Sequence, residues 1–383
     1  MMLKIRFIRE ICLGEIDHER RNEDCMNHYG VIMAGGGGTR FWPLSRQKTP
    51  KQLLNLSGHD LMVNEAVERM ATVIGKSNIF IVTADVQAPA MITATQGKVF
   101  PRNILAEPAA RNTAACIGYA AMEIYRKYGD GVMIITPADH YIEDVAALSE
   151  IFKTAILTAE EQDKLVTIGL KPTFPSTGFG YIKYEAEVDS TVKPVIEFRE
   201  KPDEETAKKY VESGRYAWNS GMFIWKASLI LKKLEEYTPD IYEDLKSIGD
   251  AMNTPQEQEI LHDVYPNIRK ISIDYAVMEP SASKGDVLVI PGDCGWNDVG
   301  SWDMMDILHE PDRDNNILLG DVVAVDVKDA VIYSSTRTVT AVDVENIVIV
   351  ETPDAIMVCS KDKAQDVKKI VDTLNETGRK ELL

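Results

Sequence analysis

Tyr29–Lys51 reads YGVIMAGGGGTRFWPLSRQKTPK, and this stretch decides the fold. Its apolar start, Val31–Ala34, predicts a buried strand. The four glycines Gly35–Gly38 follow immediately. Because glycine has no Cβ, the backbone can turn sharply and bring successive N–H groups close to a ligand, which suits phosphate oxygens. The stretch therefore predicts a phosphate-binding loop at the end of a strand.

The charges around this loop favour an anionic ligand. No acidic residue lies between Asp24 and Asp60, although the whole chain carries a formal net charge of −18. The same interval contains four cationic side chains: Arg40, Arg46, Lys48 and Lys51. This local positive charge predicts a polyphosphate ligand. The loop matches neither G-x-x-x-x-G-K-[ST] nor G-x-G-x-x-G at a helix start, so an ordinary tight turn stays the alternative.

Composition limits the classes of function. The chain has 383 residues, 45% of them hydrophobic and 27% charged, which is enough for roughly two to three globular domains. Its negative charge argues against nucleic acid or an anionic membrane as the partner, and no apolar run approaches the roughly 20 residues of a membrane span. The five cysteines are scattered and form no C-x-x-C pair. They predict a reduced, cytoplasmic protein without a disulfide framework or a zinc site.

Three parts are predicted along the chain. Residues 1–25 carry charges throughout their apolar stretch, which is atypical of a signal peptide. We expect them to be an extension outside the fold, with Met26 as the natural start. Residues 26–311 form the predicted catalytic domain, and residues 312–383 form a smaller C-terminal domain.

Residues 26–311 alternate between two kinds of pattern. Strands are predicted at Ile79–Thr83, Val132–Thr136, Leu165–Gly169 and Val287–Ile290, and helices at Leu61–Thr72, Thr113–Lys127 and Val145–Ala159. Such alternation predicts an α/β fold with a doubly wound, Rossmann-like mixed sheet. Ligands of these sheets bind beyond the carboxyl ends of the strands, where the glycine loop also lies.

The C-terminal domain contains a repeat. Residues 324–333 recur as residues 341–350, an offset of 17. Short β-rich runs at this spacing predict coils of a β-helix, with a plain β-meander as the alternative. So few coils need a partner surface, either the catalytic domain or a second subunit, which would give a homodimer. A closing helix is predicted at Asp362–Leu374.

Asp139 is the first candidate for a metal ligand. It follows the predicted strand Val132–Thr136 directly, and a carboxylate there would face the phosphate loop. Such a carboxylate can hold Mg²⁺, which prefers one or two carboxylates completed by phosphate oxygens and water. The alternative is that Asp139 caps the helix predicted to begin near Glu143.

Several short motifs together resemble the sugar-phosphate nucleotidyltransferase family, and within it the guanylyltransferase branch that acts on mannose 1-phosphate. They are AGGGGTRFWPLSR (34–46), PKQ (50–52), EPAARNTA (107–114), GFGYI (178–182), FREKP (198–202), WNSGMF (218–223), IDYAVME (273–279) and CGWNDVGSW (294–302). The resemblance covers residues 26–383 and implies the nucleotidyltransferase fold.

The resemblance also implies roles for single residues. Arg40, Lys51, Asp139 and Asp298 would be catalytic, and Asp139 and Asp298 together would hold Mg²⁺. Nucleotide binding would fall to Ala34, Gly35, Gly36, Gly37, Gly38, Thr39, Arg40, Glu107, Asn112 and Thr113. Sugar-phosphate binding would fall to Gly180, Glu200, Lys201 and Asn219.

Thr113, Asp274 and His140 are interpreted on separate grounds. Thr113 is either part of the base pocket or the cap of the helix that follows it. The role of Asp274 stays open, since its carboxylate could merely favour a helix dipole. His140 is predicted to be structural, because a sugar phosphate is mostly dianionic near neutral pH (second pKa about 6) and attacks without a base.

The implied reaction is GTP plus mannose 1-phosphate giving GDP-mannose and pyrophosphate. Arg40 would hold the leaving pyrophosphate, Lys51 the α-phosphate and Lys201 the sugar phosphate. One rival is a related enzyme that uses another hexose or base. The other is a non-catalytic regulatory subunit that binds nucleotide sugars, although such a subunit should have lost Lys51, Lys201 or a metal aspartate.

Overall fold

A computed structural model describes residues 26–383 of the chain. The expectation for residues 1–25 concerns a segment outside that range. Among the described helices, none combines the length and the apolarity needed to cross a membrane.

A nine-stranded mixed sheet forms the centre of the predicted catalytic domain. In chain order its strands are β1 (Asn27–Ala34), β2 (Ile79–Ala84), β3 (Ile104–Glu107), β4 (Gly131–Pro137), β6 (Leu165–Leu170), β7 (Tyr181–Tyr184), β8 (Lys193–Arg199), β9 (Tyr216–Lys226) and β10 (Val287–Gly292). Their order across the sheet is β3-β2-β1-β4-β9-β6-β10-β8-β7. A separate two-stranded sheet pairs β5 (Tyr141–Ile142) with β11 (Trp296–Asn297).

Helices cover both faces of the large sheet. They are α1 (Met62–Ala71), α2 (Ala88–Ala94), α3 (Asn112–Tyr128), α4 (Val145–Glu161), α5 (Glu204–Ser213), α6 (Ala227–Tyr237), α7 (Pro239–Ala251), α8 (Glu257–Val264) and α9 (Glu279–Ser283). One hydrophobic cluster joins the sheet to α3, α6, α7 and α8, and a second joins its other face to α1, α2 and α4. The doubly wound architecture predicted from the alternating pattern is therefore confirmed.

The four strands at one side of the sheet run parallel. Val31 of β1 is paired with Phe80 of β2 and with Ile135 of β4. Next to them β9 runs antiparallel to both β4 and β6, which makes the sheet mixed. Because β9 runs the opposite way, its residues 219–221 lie beside the carboxyl end of β4, where Asp139 follows.

The C-terminal domain is built from two short stacked sheets. Its strands are β12 (Ile317–Leu319), β13 (Val322–Val325), β14 (Val331–Ser334), β15 (Val339–Val342), β16 (Ile347–Glu351) and β17 (Ile356–Ser360). Val322 pairs with Val339 and Val331 with Val348, both in parallel register. The sequence offset of 17 thus equals one coil, and the β-helix-like prediction is confirmed over the meander.

The end of the chain differs from its prediction in one respect. The segment predicted as a single helix begins with a 3₁₀ stretch, Lys361–Asp366, and only then continues as α10 (Val367–Glu376). Strand β17 lies at the edge of the four-stranded sheet, whose order is β12-β14-β16-β17, and pairs antiparallel with β16.

The C-terminal domain packs on the catalytic domain through a shared hydrophobic cluster. The ring of Trp302 lies 5.2 Å from that of Phe41 and 6.1 Å from that of Tyr333, measured between centroids. Trp42 Nε1 donates a hydrogen bond of 2.8 Å to the carbonyl of Leu382. The contact with the catalytic domain agrees with the first of the two partner surfaces expected. The division at residue 311 stays a prediction, because this cluster contains residues from both sides of it.

Glu351 is a buried carboxylate that organises a turn of the C-terminal domain. Its Oε2 accepts hydrogen bonds from the backbone N–H of Thr336 and of Ser335, both at 2.9 Å, and its Oε1 accepts one from the Thr336 hydroxyl at 2.8 Å. These bonds, the Thr336 N–H first among them, lower the pKa of Glu351 to about 2 despite the opposing effect of desolvation.

Replacing Glu351 with Gln is expected to lower the melting temperature at pH 7, because an amide oxygen is a weaker acceptor than a carboxylate. The stabilisation is present above the ordinary glutamate pKa of about 4.5 and disappears as the pH falls toward about 2. The difference in melting temperature between variant and wild type should therefore become smaller below pH 4, as measured by thermal melts followed by circular dichroism. A gap that is constant from pH 3 to pH 7 would contradict this account.

Candidate active site

The glycine loop leaves β1 at the carboxyl edge of the sheet. Gly35, Gly36 and Gly37 are exposed, and Gly38 has a φ of +59°. A Cβ at Gly38 would lie 2.2 Å from the Cβ of Lys51, so the residue must be glycine both for its conformation and for its neighbour. The loop and Lys51 are thereby in direct contact.

Gln52 holds the loop from beneath. Its Nε2 donates to the carbonyls of Ala34 and Gly36, the latter at 3.1 Å. Thr83 Oγ1, at the end of β2, also donates to the Ala34 carbonyl at 3.1 Å. Because the carbonyls are engaged on the protein side, the exposed glycines can direct N–H groups toward a ligand.

Lys51 lies between the two predicted metal aspartates. Its side chain is 5% exposed, and Nζ donates to the carbonyl of Asp139 at 2.7 Å and to Asp139 Oδ2 at 3.1 Å. Nζ also donates to the carbonyl of Asp298 at 2.7 Å. The structure thus brings Lys51 together with two residues that are 88 and 247 positions away in the sequence.

The two carboxylates have different electrostatic surroundings. Desolvation acts to raise the pKa of Asp139, but the Lys51 ammonium and neighbouring groups outweigh it, and the net shift is downward. Burial raises the pKa of Asp298, and the nearby charge of Asp139 adds to that effect, while Lys51 and Arg40 oppose it. Arg40 itself is exposed in the middle of the 3₁₀ turn Thr39–Phe41, which follows the glycines.

These donors suit a hard cation. Within residues 26–383 no group of three or more His, Cys, Asp or Glu side chains is placed to hold a metal ion. Mg²⁺, however, commonly uses one or two carboxylates and takes its other ligands from phosphates and water. Asp139 and Asp298, which lie beside the glycine loop, therefore fit that ion.

The segments that carry the two aspartates are joined to each other. Asn297 of β11 pairs with Tyr141 of β5, and Trp296 Nε1 donates a 3.0 Å hydrogen bond to His140 Nδ1. Burial lowers the pKa of His140 to about 4, so the ring is neutral near pH 7 and can accept that bond.

Helix α4 is capped by Asp144, whose Oδ1 accepts from Ala147 N at 2.8 Å. The alternative interpretation, in which Asp139 caps this helix, is therefore wrong.

The loop after β3 carries the predicted base pocket. Glu107 is 6% exposed and accepts a hydrogen bond from the hydroxyl of Tyr265, while its Oε2 lies 3.1 Å from the position of a Cβ on Gly35. Helix α3 begins at Asn112, whose φ is +68°. Thr113 therefore lies inside the helix, and the alternative that it caps the helix is wrong. Thr113 Oγ1 instead accepts from the backbone N–H of Ile273 at 2.8 Å.

A second polar cluster forms where β7, β8 and β9 meet. A Cβ on Gly180 would lie 2.5 Å from Glu200 Oε2, and Asn219 N donates to the Gly180 carbonyl at 2.8 Å. Asn219 Nδ2 donates to Asp274 Oδ1 at 2.9 Å. Burial raises the pKa of Asp274 to about 6, and the nearby Glu200 contributes. Lys201 is 60% exposed, with Nζ 3.3 Å from Glu200 Oε1.

Sequence reasoning missed two contributors to the site and left a third open. Gln52 stands next to Lys51 in the PKQ motif, which was a usable signal. Tyr265 gave no signal, because its partner Glu107 is 158 positions away. Asp274, whose role was open, lies in the polar cluster with Asn219 and Glu200.

Comparisons with known proteins indicate the family of the chain. The profile of the Nucleotidyl transferase family matches residues 29–312, and that of the MannoseP isomerase/GMP-like beta-helix domain matches residues 320–374. The chain is 41% identical over 352 residues to the xanthan biosynthesis protein XanB of Xanthomonas campestris pv. campestris (strain B100), covering 92% of this chain and 74% of XanB.

Two further relatives carry names that describe a reaction. A mannose-1-phosphate guanylyltransferase of Salmonella muenchen is 38% identical over 360 residues, which cover 92% of this chain and 74% of that protein. The crystal structure of a protein named mannose-1-phosphate geranyltransferase, from Thermus thermophilus, has a TM-score of 0.81 at 30% identity and covers 91% of this chain and 100% of that one. The chain therefore belongs to the nucleotidyl transferase family.

Proposed function

We propose that the protein transfers GMP from GTP to mannose 1-phosphate and so produces GDP-mannose and pyrophosphate. The observation that carries this proposal is the contact of Lys51 with both Asp139 and Asp298, directly beside the glycine loop. Cations and carboxylates placed around a phosphate loop suit phosphoryl transfer, in which positioning and charge neutralisation supply most of the catalysis. The names of the relatives supply the base and the sugar.

On the nucleotide side, the exposed glycines would receive the triphosphate. Arg40 would hold the leaving pyrophosphate, since it is exposed at the end of the loop. Lys51 would neutralise the α-phosphate from its position between the aspartates. Glu107, with Asn112 and Thr113 nearby in sequence, would read the guanine base.

On the sugar side, the cluster around Gly180 offers acceptors and donors for hydroxyl groups. Glu200 and Asn219 would bind the hexose, and the absence of a side chain at Gly180 lets the two approach each other. Lys201 would leave Glu200 to bind the sugar phosphate. Asp274 orients Asn219 through the hydrogen bond between their side chains.

A divalent cation would bind at Asp139 and Asp298, and we propose Mg²⁺. Such an ion would neutralise charge on the α-phosphate and polarise its oxygens. Lys51 already compensates part of the charge of Asp139. The two carboxylates thus face two cationic side chains, Lys51 and Arg40, before the substrates bind.

The attacking oxygen needs no protein base. A phosphate monoester is mostly dianionic near neutral pH, with a second pKa of about 6. His140 is neutral and its Nδ1 accepts from Trp296, which leaves it suited to fixing the Asp139 segment. The reaction would then depend on in-line alignment of the sugar phosphate with the α-phosphorus.

A substrate panel tests the proposal. Pyrophosphate release should be measured with ATP, CTP, GTP and UTP against mannose 1-phosphate, glucose 1-phosphate and galactose 1-phosphate, with Mg²⁺ present. We expect GTP with mannose 1-phosphate to give the highest kcat/KM. A preference for another pair would support the rival enzyme, and nucleotide-sugar binding without pyrophosphate release in any pair would support the regulatory subunit.

Two further assignments belong to the same proposal. We place the enzyme in the cytoplasm, where GTP is available and where its cysteines would stay reduced. The homodimer expected from the sequence also stays a prediction, which sedimentation equilibrium would decide.

A further inference from the structure

A buried carboxylate and a buried phenol meet at the end of β3. Glu107 is 6% exposed and Tyr265 is fully buried. Tyr265 stands in a 3₁₀ turn, Tyr265–Asn267, that follows α8. Its hydroxyl donates a hydrogen bond to Glu107 Oε1. The pair therefore links two distant segments of the chain inside the candidate base pocket.

The two oxygens of Glu107 have different neighbours. Oε1 accepts from Tyr265, whereas Oε2 lies on the side of Gly35, at the start of the glycine loop. A carboxylate with one oxygen fixed cannot rotate freely. The bond from Tyr265 thus keeps Oε2 directed toward the loop that would hold the nucleotide.

Tyr265 is itself held in place. Its ring meets that of Tyr119 edge-on, with centroids 5.7 Å apart and planes at 66°. Tyr119 and the nearby Cys116 both belong to α3, the helix that follows the base loop. The phenol is thus positioned by the same helix that begins beside the pocket.

The groups around Glu107 are uncharged near neutral pH. Cys116 and Tyr119 on α3 and Tyr265 after α8 all have pKa values raised by burial, and so stay protonated. The carboxylates of Glu123 and Glu257 act on Tyr119, and both pair with the Lys127 ammonium. Among residues 26–383, the Tyr265 hydroxyl is the side-chain donor that faces this carboxylate. Burial raises the pKa of Glu107 to about 7, and the bond from Tyr265 opposes that rise.

We propose that Tyr265 is a positioning residue for base specificity, holding Glu107 so that the carboxylate receives the two adjacent N–H donors of guanine. This inference rests on the proposed function. Guanine presents its ring N–H and exocyclic amine side by side, and an ionised carboxylate is an acceptor at both oxygens. A protonated carboxyl would instead place its O–H donor against the N–H donors of guanine, and guanine would then bind less well.

Tyr265→Phe tests the inference without changing the ring. We expect kcat/KM for GTP at pH 7 to fall about 10-fold, mainly through KM, because a hydrogen bond to a charged group is lost. Without the hydroxyl the pKa of Glu107 rises further, so its carboxylate forms only at higher pH. The loss in kcat/KM relative to the wild type should therefore become smaller between pH 7 and pH 8.5. It should also be smaller for ITP than for GTP, because ITP lacks the exocyclic amine.

Tyr119→Phe is the matched control, because it removes a neighbouring buried hydroxyl that does not bond to Glu107. Its ratio of kcat/KM for GTP over ITP should equal that of the wild type. Circular dichroism melts of all variants report folding independently. The double variant Tyr265→Phe/Glu107→Gln should show a GTP to ITP ratio no lower than that of Glu107→Gln alone, because without the tyrosine hydroxyl the amide is free to turn its oxygen toward the base.

Two outcomes would overturn the inference. One is an equal, pH-independent loss for GTP and ITP in Tyr265→Phe; the other is a double variant whose GTP to ITP ratio falls by the product of the single effects. Either result, with an active wild type, would leave the proposed function intact. A wild type that releases no pyrophosphate from GTP and mannose 1-phosphate would instead contradict the proposed function itself.

Discussion

Asp298→Asn and Asp139→Asn are each expected to lower kcat for pyrophosphate release by about 10²–10³-fold, the usual range for losing one electrostatic contact to the transition state. An amide has nearly the size of a carboxylate but no charge, so the fold should persist while the cation loses an anionic ligand. For Asp139 the change also removes the ion pair between its Oδ2 and Lys51 Nζ, whereas the bonds from Lys51 to backbone carbonyls remain.

The measurement is kcat as a function of Mg²⁺ concentration, combined with thermal shifts caused by GTP and Mg²⁺ together. Both variants should require more Mg²⁺ and show a smaller shift than the wild type. Asp163→Asn is the matched control, since that carboxylate is 79% exposed and pairs with Lys226 at the surface. Near-full activity of either site variant at saturating Mg²⁺ would rule out the two-aspartate metal site.

Glu107→Gln is expected to lower kcat/KM for GTP by about 10²-fold and to affect ITP far less, since hydrogen bonds to charged groups are each worth roughly 1.5–3 kcal/mol. The structure indicates how the amide would be oriented. Its oxygen would keep the bond from Tyr265, which places the NH₂ group on the side of Gly35. A donor would then face the donors of guanine, and the exocyclic amine would have no acceptor.

The comparison of GTP with ITP gives the measurement its selectivity. Glu123→Gln is a suitable control, because Glu123 is also buried on the same side of the sheet but pairs with Lys127 at 2.7 Å, away from the loop. Equal losses for GTP and ITP in Glu107→Gln would mean that Glu107 only shapes the loop before Pro108, and its base-reading role would be withdrawn.

Local patterns predicted the strands that carry the site. The apolar runs before the glycine loop and before Asp139 became β1 and β4, because buried strands of a parallel sheet are apolar on both faces. The repeat of 17 residues likewise predicted the coil, since each coil repeats the same inward positions. These features depend on residues close together in the sequence.

Features that depend on distant residues were less accessible. An apolar run does not specify strand direction, so nothing in residues 216–226 indicated that β9 lies antiparallel between β4 and β6. Thr113 has the residue type of a helix cap, but its hydroxyl accepts instead from Ile273, 160 positions away. The contact between Tyr265 and Glu107 likewise exists only in the folded chain.

The packing of Phe41 and Trp42 also affects when this part of the chain can fold during translation. These rings directly follow the glycine loop, yet their partners include Trp302 and the carbonyl of Leu382. A chain emerging from the ribosome tends to fold its N-terminal domain first. Here the Trp42 side chain is translated 340 positions before Leu382, its hydrogen-bond partner, so the turn that follows the glycine loop can complete its packing only after those later residues have been made.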